Sequence, residues 1–237
     1  MEGIILAGGF GTRLRKRVGD IPKPIAPIAG RPFLCWLLDR LAQVGFRRIV
    51  LALGYGRAPI IEALGPHYSG IELAYAVEDQ PLGTGGAIRH ALAHLDRGLP
   101  AVWVMNGDTI SALRHREMFK THMTTAAQIT MALARVADAA RYGAVEVRDD
   151  QVVGFAATGM SGAGLINSGT YLLSPRLVVD CEWPEAFSFE HDFLPAVIDH
   201  IDIRAFEIQG WFIDIGVPED FDRAQTEVPT KFRRLIR

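Results

Sequence analysis

Through the first half of the chain, short apolar runs alternate with stretches whose apolar residues recur at helical spacing. The runs at residues 3–7, 48–54, 72–77 and 101–105 read as buried strands. Between them, residues 32–44, 58–64 and 86–95 carry the helical period. Pro32 stands at the start of the first of these and Gly45 just past its end, where a fixed φ and a residue tolerant of left-handed backbone mark helix boundaries. Strands that alternate with helices predict right-handed crossovers and a largely parallel sheet covered on both faces. The second half changes character. Residues 129–135, 144–147, 152–155 and 169–173 read as shorter strands, with Asp149-Asp150 as a hairpin turn. A helix at about 190–201, a strand at 203–208 and a last helix from Pro218 follow. The expectation is one α/β domain whose sheet is mostly parallel but mixed, flanked by helices.

Composition narrows the function classes. Apolar residues make up 49% and charged residues 22%, as in globular domains, and 237 residues suffice for one substantial core. A net charge of −2 sets up no field toward nucleic acid or anionic membrane. No apolar stretch approaches the ~20 residues that span a bilayer. The strand-like opening lacks a cationic leader, so secretion is not expected and the cytoplasm fits. Cys35 and Cys181 lie far apart, match no metal spacing and read as core thiols.

Chemistry concentrates where the first strand ends, in Leu6-Ala7-Gly8-Gly9-Phe10-Gly11-Thr12-Arg13-Leu14. Glycines there let the backbone turn and approach a ligand closely, and successive N–H groups in such a turn form an anion-binding concavity. Arg13 adds a planar donor fork, and Lys23 follows between the φ-restricted Pro22 and Pro24. Two cations on stiff backbone beside a glycine turn point to a polyphosphate. No Gly-Lys-Ser/Thr occurs, which excludes a P-loop, and Gly9-Phe10-Gly11-Thr12-Arg13-Leu14 ends on leucine where a dinucleotide fingerprint needs glycine. A ligand-free strand-to-helix turn is the plainer alternative for the glycines alone. Asn106-Gly107-Asp108 follows the strand at 101–105, so Asp108 shares the carboxyl edge of the sheet with Arg13, where open α/β sheets bind ligands.

These segments resemble the signature of sugar-1-phosphate nucleotidyltransferases. Further matches run in the family's order: Gln80-Pro81-Leu82-Gly83-Thr84-Gly85-Gly86-Ala87, Asn106-Gly107-Asp108, Arg141-Tyr142-Gly143, Ile166-Asn167-Ser168-Gly169 and Trp211-Phe212-Ile213-Asp214-Ile215-Gly216-Val217-Pro218-Glu219-Asp220. Within the family the wording is most similar to the D-glycero-D-manno-heptose 1-phosphate guanylyltransferases. The resemblance implies a Rossmann-like sheet of the nucleotide-diphospho-sugar transferase type. Its nucleotide-binding part would fall at about 1–110 and its sugar-binding part at about 111–226, with a basic tail at 227–237. It implies attack of a sugar 1-phosphate, of heptose or mannose type, on the α-phosphorus of an NTP, GTP favoured, with release of pyrophosphate.

The same resemblance assigns roles. Arg13 would grip the leaving phosphates, Lys23 the α-phosphate or sugar phosphate, and Asp108 with Asp214 would hold Mg²⁺, which needs only one or two carboxylates beside substrate phosphates. Leu6, Ala7, Gly8, Gly9, Gly11, Thr12, Gln80, Gly83, Thr84, Gly85, Asn106 and Gly107 would contact the nucleotide, with Gln80 and Gly85 at the base. Gly143, Glu146 and Asn167 would contact the sugar. One departure stands out: where the family carries a Glu-Lys pair, this chain reads Ala157-Thr158. That keeps open a nucleotide-sensing or assembly subunit, and base reading largely by backbone keeps open a thymidylyl-, uridylyl- or cytidylyltransferase. His90 and His94 sit at i,i+4 but lack the Glu of a zinc-protease motif, so an exposed helix face is expected. Glu190-His191-Asp192 reads as a helix start with dipole-favoured acids. The tail Lys231–Arg237 reads as disordered or packed on a neighbour in a homodimer, since a membrane helix needs a longer amphipathic face.

Overall fold

The computed structural model describes residues 1–9, 13–54, 56–96, 98–125, 127–156, 159, 161–180 and 182–235. The expectations for Gly11, Thr12, Ala157, Thr158, Cys181, Ile236 and Arg237 therefore lie outside the described residues. One ten-stranded sheet organises the chain. Its strands are β1 Glu2–Leu6, β2 Arg48–Leu53, β3 His67–Tyr68, β4 Ile71–Val77, β5 Val102–Asn106, β6 Ile129–Val136, β7 Val145–Arg148, β8 Gln151–Phe155, β9 Gly164–Leu173 and β10 Ile203–Glu207. Across the sheet they run β7-β8-β10-β6-β9-β5-β1-β2-β4-β3. β5, β1, β2 and β4 are mutually parallel, as is the β10–β6 pair, whereas β9 runs antiparallel to both β5 and β6. The sheet is thus parallel through β5, β1, β2 and β4 and mixed beyond them, as the sequence pattern predicts.

Two apolar layers sandwich the sheet, and the period-2 alternation of a strand sorts neighbours between them. Ile4 faces one layer and Ile5 the other, both fully buried. The Ile5 side is covered by Phe33–Val44, Arg57–Leu64, His115–Thr125 and Pro218–Leu235, through Leu38, Ile60, Met118 and Ala224 among others. The Ile4 side is covered by Gly83–Leu92 and by the segment carrying Phe187, Phe189, Phe193 and Leu194. Each of the Leu, Ile, Met and Phe side chains among them contributes about 1.5–3 kcal/mol on burial. Burial on both faces explains why β2 reads as a continuous apolar run.

Three boundaries depart from the sequence expectation. A single helix over 190–201 is not formed: a π-turn at Phe189–Phe193 leads into a short α-helix, Leu194–Val197. Pro195 has no N–H for the carbonyl four residues back and its ring would crowd it, so the turn widens, with Phe193 N–H reaching Ser188 O at 3.0 Å. β9 starts at Gly164 instead of 169 because Ser168-Gly169 forms a bulge inside it, where the pairing with β6 jumps from Asn167 to Thr170. Gly169 has φ +71° there, and a Cβ would overlap the Asn106 side chain, so only glycine fits. The basic tail is helical as far as Leu235, and Phe232 is buried edge-on against Trp36 at 5.2 Å. Phe232 thus packs on its own chain. Among the described residues no helix is long and apolar enough to cross a membrane.

Candidate active site

The carboxyl ends of β1 and β5 lie side by side and set the floor of the site. Gly107 N–H donates to Leu6 O at 2.9 Å and Ala7 N–H to Ala52 O at 3.0 Å, which locks both loops to the sheet edge. A cleft of about 340 Å³ opens above them. Leu6, Ala7, Gly8, Gly9, Lys23, Gly83, Thr84, Asn106, Gly107 and Asp108 all line it, although they come from distant parts of the chain.

Lys23 opens a 3-10 turn, Lys23–Ile25, held between Pro22 and Pro24. Its ammonium pairs with Asp108 Oδ2 and lies 3.8 Å from Asp214 Oδ1. Asp214 arrives by a separate route. The short strand Phe212–Asp214 pairs antiparallel with Thr109–Ser111, placing Asp214 opposite Thr109, and Ile215 N–H donates to Asp108 O at 3.0 Å. Gly216 N–H donates to Asp214 Oδ1 at 2.6 Å. Burial, then repulsion from Asp108, raises the Asp214 carboxyl above its ordinary range; Lys23, the Gly216 N–H and Arg141 act the other way. Two carboxylates and one ammonium therefore meet at one rim.

Among the described residues no group of three or more His, Cys, Asp or Glu is arranged around a metal. The donor set nonetheless suits Mg²⁺, because Asp108 and Asp214 are hard oxygen ligands already brought together and substrate phosphates complete such a shell.

The other expected residues are placed as follows. Gln80 sits in a neighbouring hollow with Gly8, Gly54, Arg57 and Glu78, outside the main cleft. Gly85 is packed beneath the Phe187 ring, and its N–H is taken by Phe187 O at 2.9 Å, so it is set behind the rim. Arg13 is exposed, just before the short helix Arg15–Val18, and is not among the cleft-lining residues. Gly143 caps a turn with φ +78°, its N–H on Ala139 O at 3.0 Å. Glu146 is exposed on edge strand β7, lying over Gly154 of β8, and the structure does not bring it to the cleft. Asn167 sits at the β9 bulge, bonded to the Tyr171 hydroxyl. His90 and His94 are both exposed, their rings 5.8 Å apart.

Two charged cleft residues were not anticipated. Glu78 is the first residue after β4, so the rule that ligands gather at strand carboxyl ends points to it. Its Oε2 accepts the Leu82 N–H at 3.1 Å. Glu190, expected only to start a helix, lines the cleft and accepts a hydrogen bond from Thr84 Oγ1 at 2.6 Å. A second, more polar hollow of about 470 Å³ lies beyond Asp214, with Arg141, Tyr142 and Phe212 on its wall. Arg141 and Arg223 both pair there with Asp220.

A family model described as nucleotidyl transferase matches residues 2–231. The D-glycero-alpha-D-manno-heptose 1-phosphate guanylyltransferase of Aneurinibacillus thermoaerophilus is 39% identical over 229 residues, covering 96% of this chain and 98% of the relative. The mannose-1-phosphate guanyltransferase of Pichia angusta is 31% identical over 228 residues, covering 93% of this chain and 62% of that protein. The crystal structure of HddC from Yersinia pseudotuberculosis complexed with GMP-PN matches with a TM-score of 0.86 and 37% identity, covering 95% of this chain and 98% of that one.

Proposed function

The chain belongs to the nucleotidyl transferase family, and from that premise we propose that it is a sugar-1-phosphate guanylyltransferase. It joins GTP to a heptose or mannose 1-phosphate and releases pyrophosphate. An oxygen of the sugar phosphate attacks the α-phosphorus, and the bond from that phosphorus to the β-phosphate bridging oxygen breaks. The sugar phosphate is already ionised at neutral pH, so no protein base is required. Catalysis then rests on positioning and on charge.

The observation that carries this reading is the Lys23–Asp108–Asp214 cluster at the rim of the cleft. Lys23 would steady the α-phosphate, whose negative charge grows as the bond exchange proceeds. Asp108 and Asp214 would hold Mg²⁺, which when bound supplies charge neutralisation between the two phosphates. Leu6 to Gly9 shape the nucleotide end with backbone, and Arg13, with Gly11 and Thr12, serves the leaving phosphates. Guanine presents a ring N–H and an amino group on one edge; Glu78, a carboxylate in the cleft wall, is the matching acceptor. Arg141, near enough to Asp214 to favour its ionised form, would exchange its pairing with Asp220 for the sugar phosphate in place of the missing Lys. Asn167 serves the sugar side.

The test is pyrophosphate release from GTP, Mg²⁺ and each candidate sugar 1-phosphate, run beside ATP, UTP, CTP and dTTP. Turnover with GTP and a manno-configured sugar phosphate supports the proposal. Tight nucleotide binding with no pyrophosphate from any pair overturns it in favour of a sensing subunit.

A further inference from the structure

A carboxylate assigned to neither subsite touches both. Glu190 lines the cleft from the π-turn Phe189–Phe193. Its Oε2 accepts from Thr84 Oγ1 at 2.6 Å, while Thr84 Oγ1 accepts from Phe189 N–H at 2.8 Å. The hydroxyl has one proton, and that proton is committed to Glu190. On the other side, Glu190 Oε1 accepts from the Tyr171 hydroxyl at 3.3 Å. The same phenol oxygen accepts from Asn167 Nδ2 at 2.5 Å, and Asn167 Oδ1 accepts from Gly169 N–H at 2.9 Å. Tyr171 is fully buried, edge-on to Phe189 at 5.1 Å, and does not line the cleft. Burial, with the charge of Glu190, holds its hydroxyl well above the usual phenol range, so the proton stays and the donor direction is fixed.

We propose that Glu190 is a positioning residue that couples the two subsites, setting Asn167 through Tyr171 on the sugar side and the Gly83–Thr84 turn on the nucleotide side. The inference rests on the reading of the cleft given above. Its physical basis is the rigidity of a carboxylate: the two oxygens move as one plane, so a rotation that follows Thr84 disturbs the bond from Tyr171. Glu190 lies between the bond from Thr84 and the bonds that reach Asn167 through Tyr171, so ordering one side preorganises the other. A network that merely holds the fold would change melting and leave the two substrates independent.

Cross-effects separate the two cases. GTP affinity is measured by titration calorimetry, using the best-binding triphosphate if GTP does not bind; KM for the sugar 1-phosphate is measured by pyrophosphate release. Tyr171→Phe removes one hydroxyl that no ligand in the cleft reaches, and is expected to weaken nucleotide binding about threefold or more. Thr84→Val is expected to raise KM for the sugar phosphate about threefold, and Thr84→Ser to restore it. In a Glu190→Gln background both effects fall within about 1.5-fold, as a double-mutant cycle requires for residues coupled through one partner. Cross-effects absent from the wild-type background, or undiminished beside Glu190→Gln, overturn the coupling. Melting curves check that each variant folds, and if Thr84→Val does not, the Tyr171 arm decides. A wild type that releases no pyrophosphate sinks the functional reading instead, and the Tyr171 effect on nucleotide binding still decides the coupling.

Discussion

His115→Phe should flatten the acid sensitivity of this fold. His115 opens the helix His115–Thr125, buried against the rings of Trp103 at 5.2 Å and Phe46 at 5.9 Å. Its Nδ1 lies 3.1 Å from Leu113 O, and since a carbonyl only accepts, the proton of the neutral ring is on Nδ1. Burial first, and the nearby charge of Arg40 second, push the imidazole from its ordinary 6.5 down to about 3, against the smaller opposing effect of the Leu113 bond. The unfolded chain therefore takes up a proton below 6.5 that the folded chain refuses until about 3, and stability falls as pH drops through that window. At about pH 5 the unfolded state lies roughly 1.5 units below its own midpoint, which at about 1.36 kcal/mol per unit amounts to about 2 kcal/mol. Urea unfolding of wild type and variant at about pH 7.5 and pH 5 isolates the effect, because the loss of the Leu113 bond is common to both. The stability of the variant relative to wild type should rise by about 2 kcal/mol on acidification. An unchanged difference would refute the argument. Activity is exposed to the same window, because the strand Thr109–Ser111 that seats Asp214 leads directly into His115.

Three more outcomes follow from the site. Lys23→Met leaves Asp108 and Asp214 facing each other without an ammonium; kcat/KM in the pyrophosphate assay should drop about 10²–10³-fold, and a loss under about threefold would remove Lys23 from the mechanism. Asp214 holds its proton above the ordinary 3.8, so its ionisation weakens the fold as pH rises through the window above that value, and the burden persists at neutral pH. Asp214→Asn should thus melt no lower than wild type at neutral pH while losing turnover, and a clearly lower melting point would contradict this. Gly85→Ala drives a Cβ into the ring of Phe187, which is itself packed against Trp183 and Phe193. The expected cost is about 1–3 kcal/mol, visible as a melt lower by roughly 2–4 °C per kcal/mol, and an unshifted melt would show that the ring can yield.

The fold was legible because the strongest signals were local. β1, β2 and β5 are buried on both faces along most of their length and leave near-continuous apolar runs, and Gly45 ends its helix with φ +99° and N–H bonds to Leu41 O and Ala42 O. Asp149 and Asp150, both at positive φ, make the predicted hairpin turn. The helix His115–Thr125 was missed, and the other misses were non-local. Pro195 was visible, yet a π-turn that absorbs it depends on Ser188 and on the packing of Phe189 and Phe193. Gly85 reads as a ligand-facing glycine, yet the Phe187 ring pressing on it by itself accounts for the missing side chain. Glu190 carries no local mark of its place in the cleft, since its partners Thr84 and Tyr171 are 106 and 19 positions away.

Lys23 has one further consequence. Resting between Asp108 and Asp214, it acts as an internal counter-ion, so the acidic pair does not stand bare while the protein waits. On the proposed reading, a triphosphate that drew the ammonium toward itself would uncover both aspartates in the same movement, and a lone metal ion would meet a seat already occupied by a tethered charge.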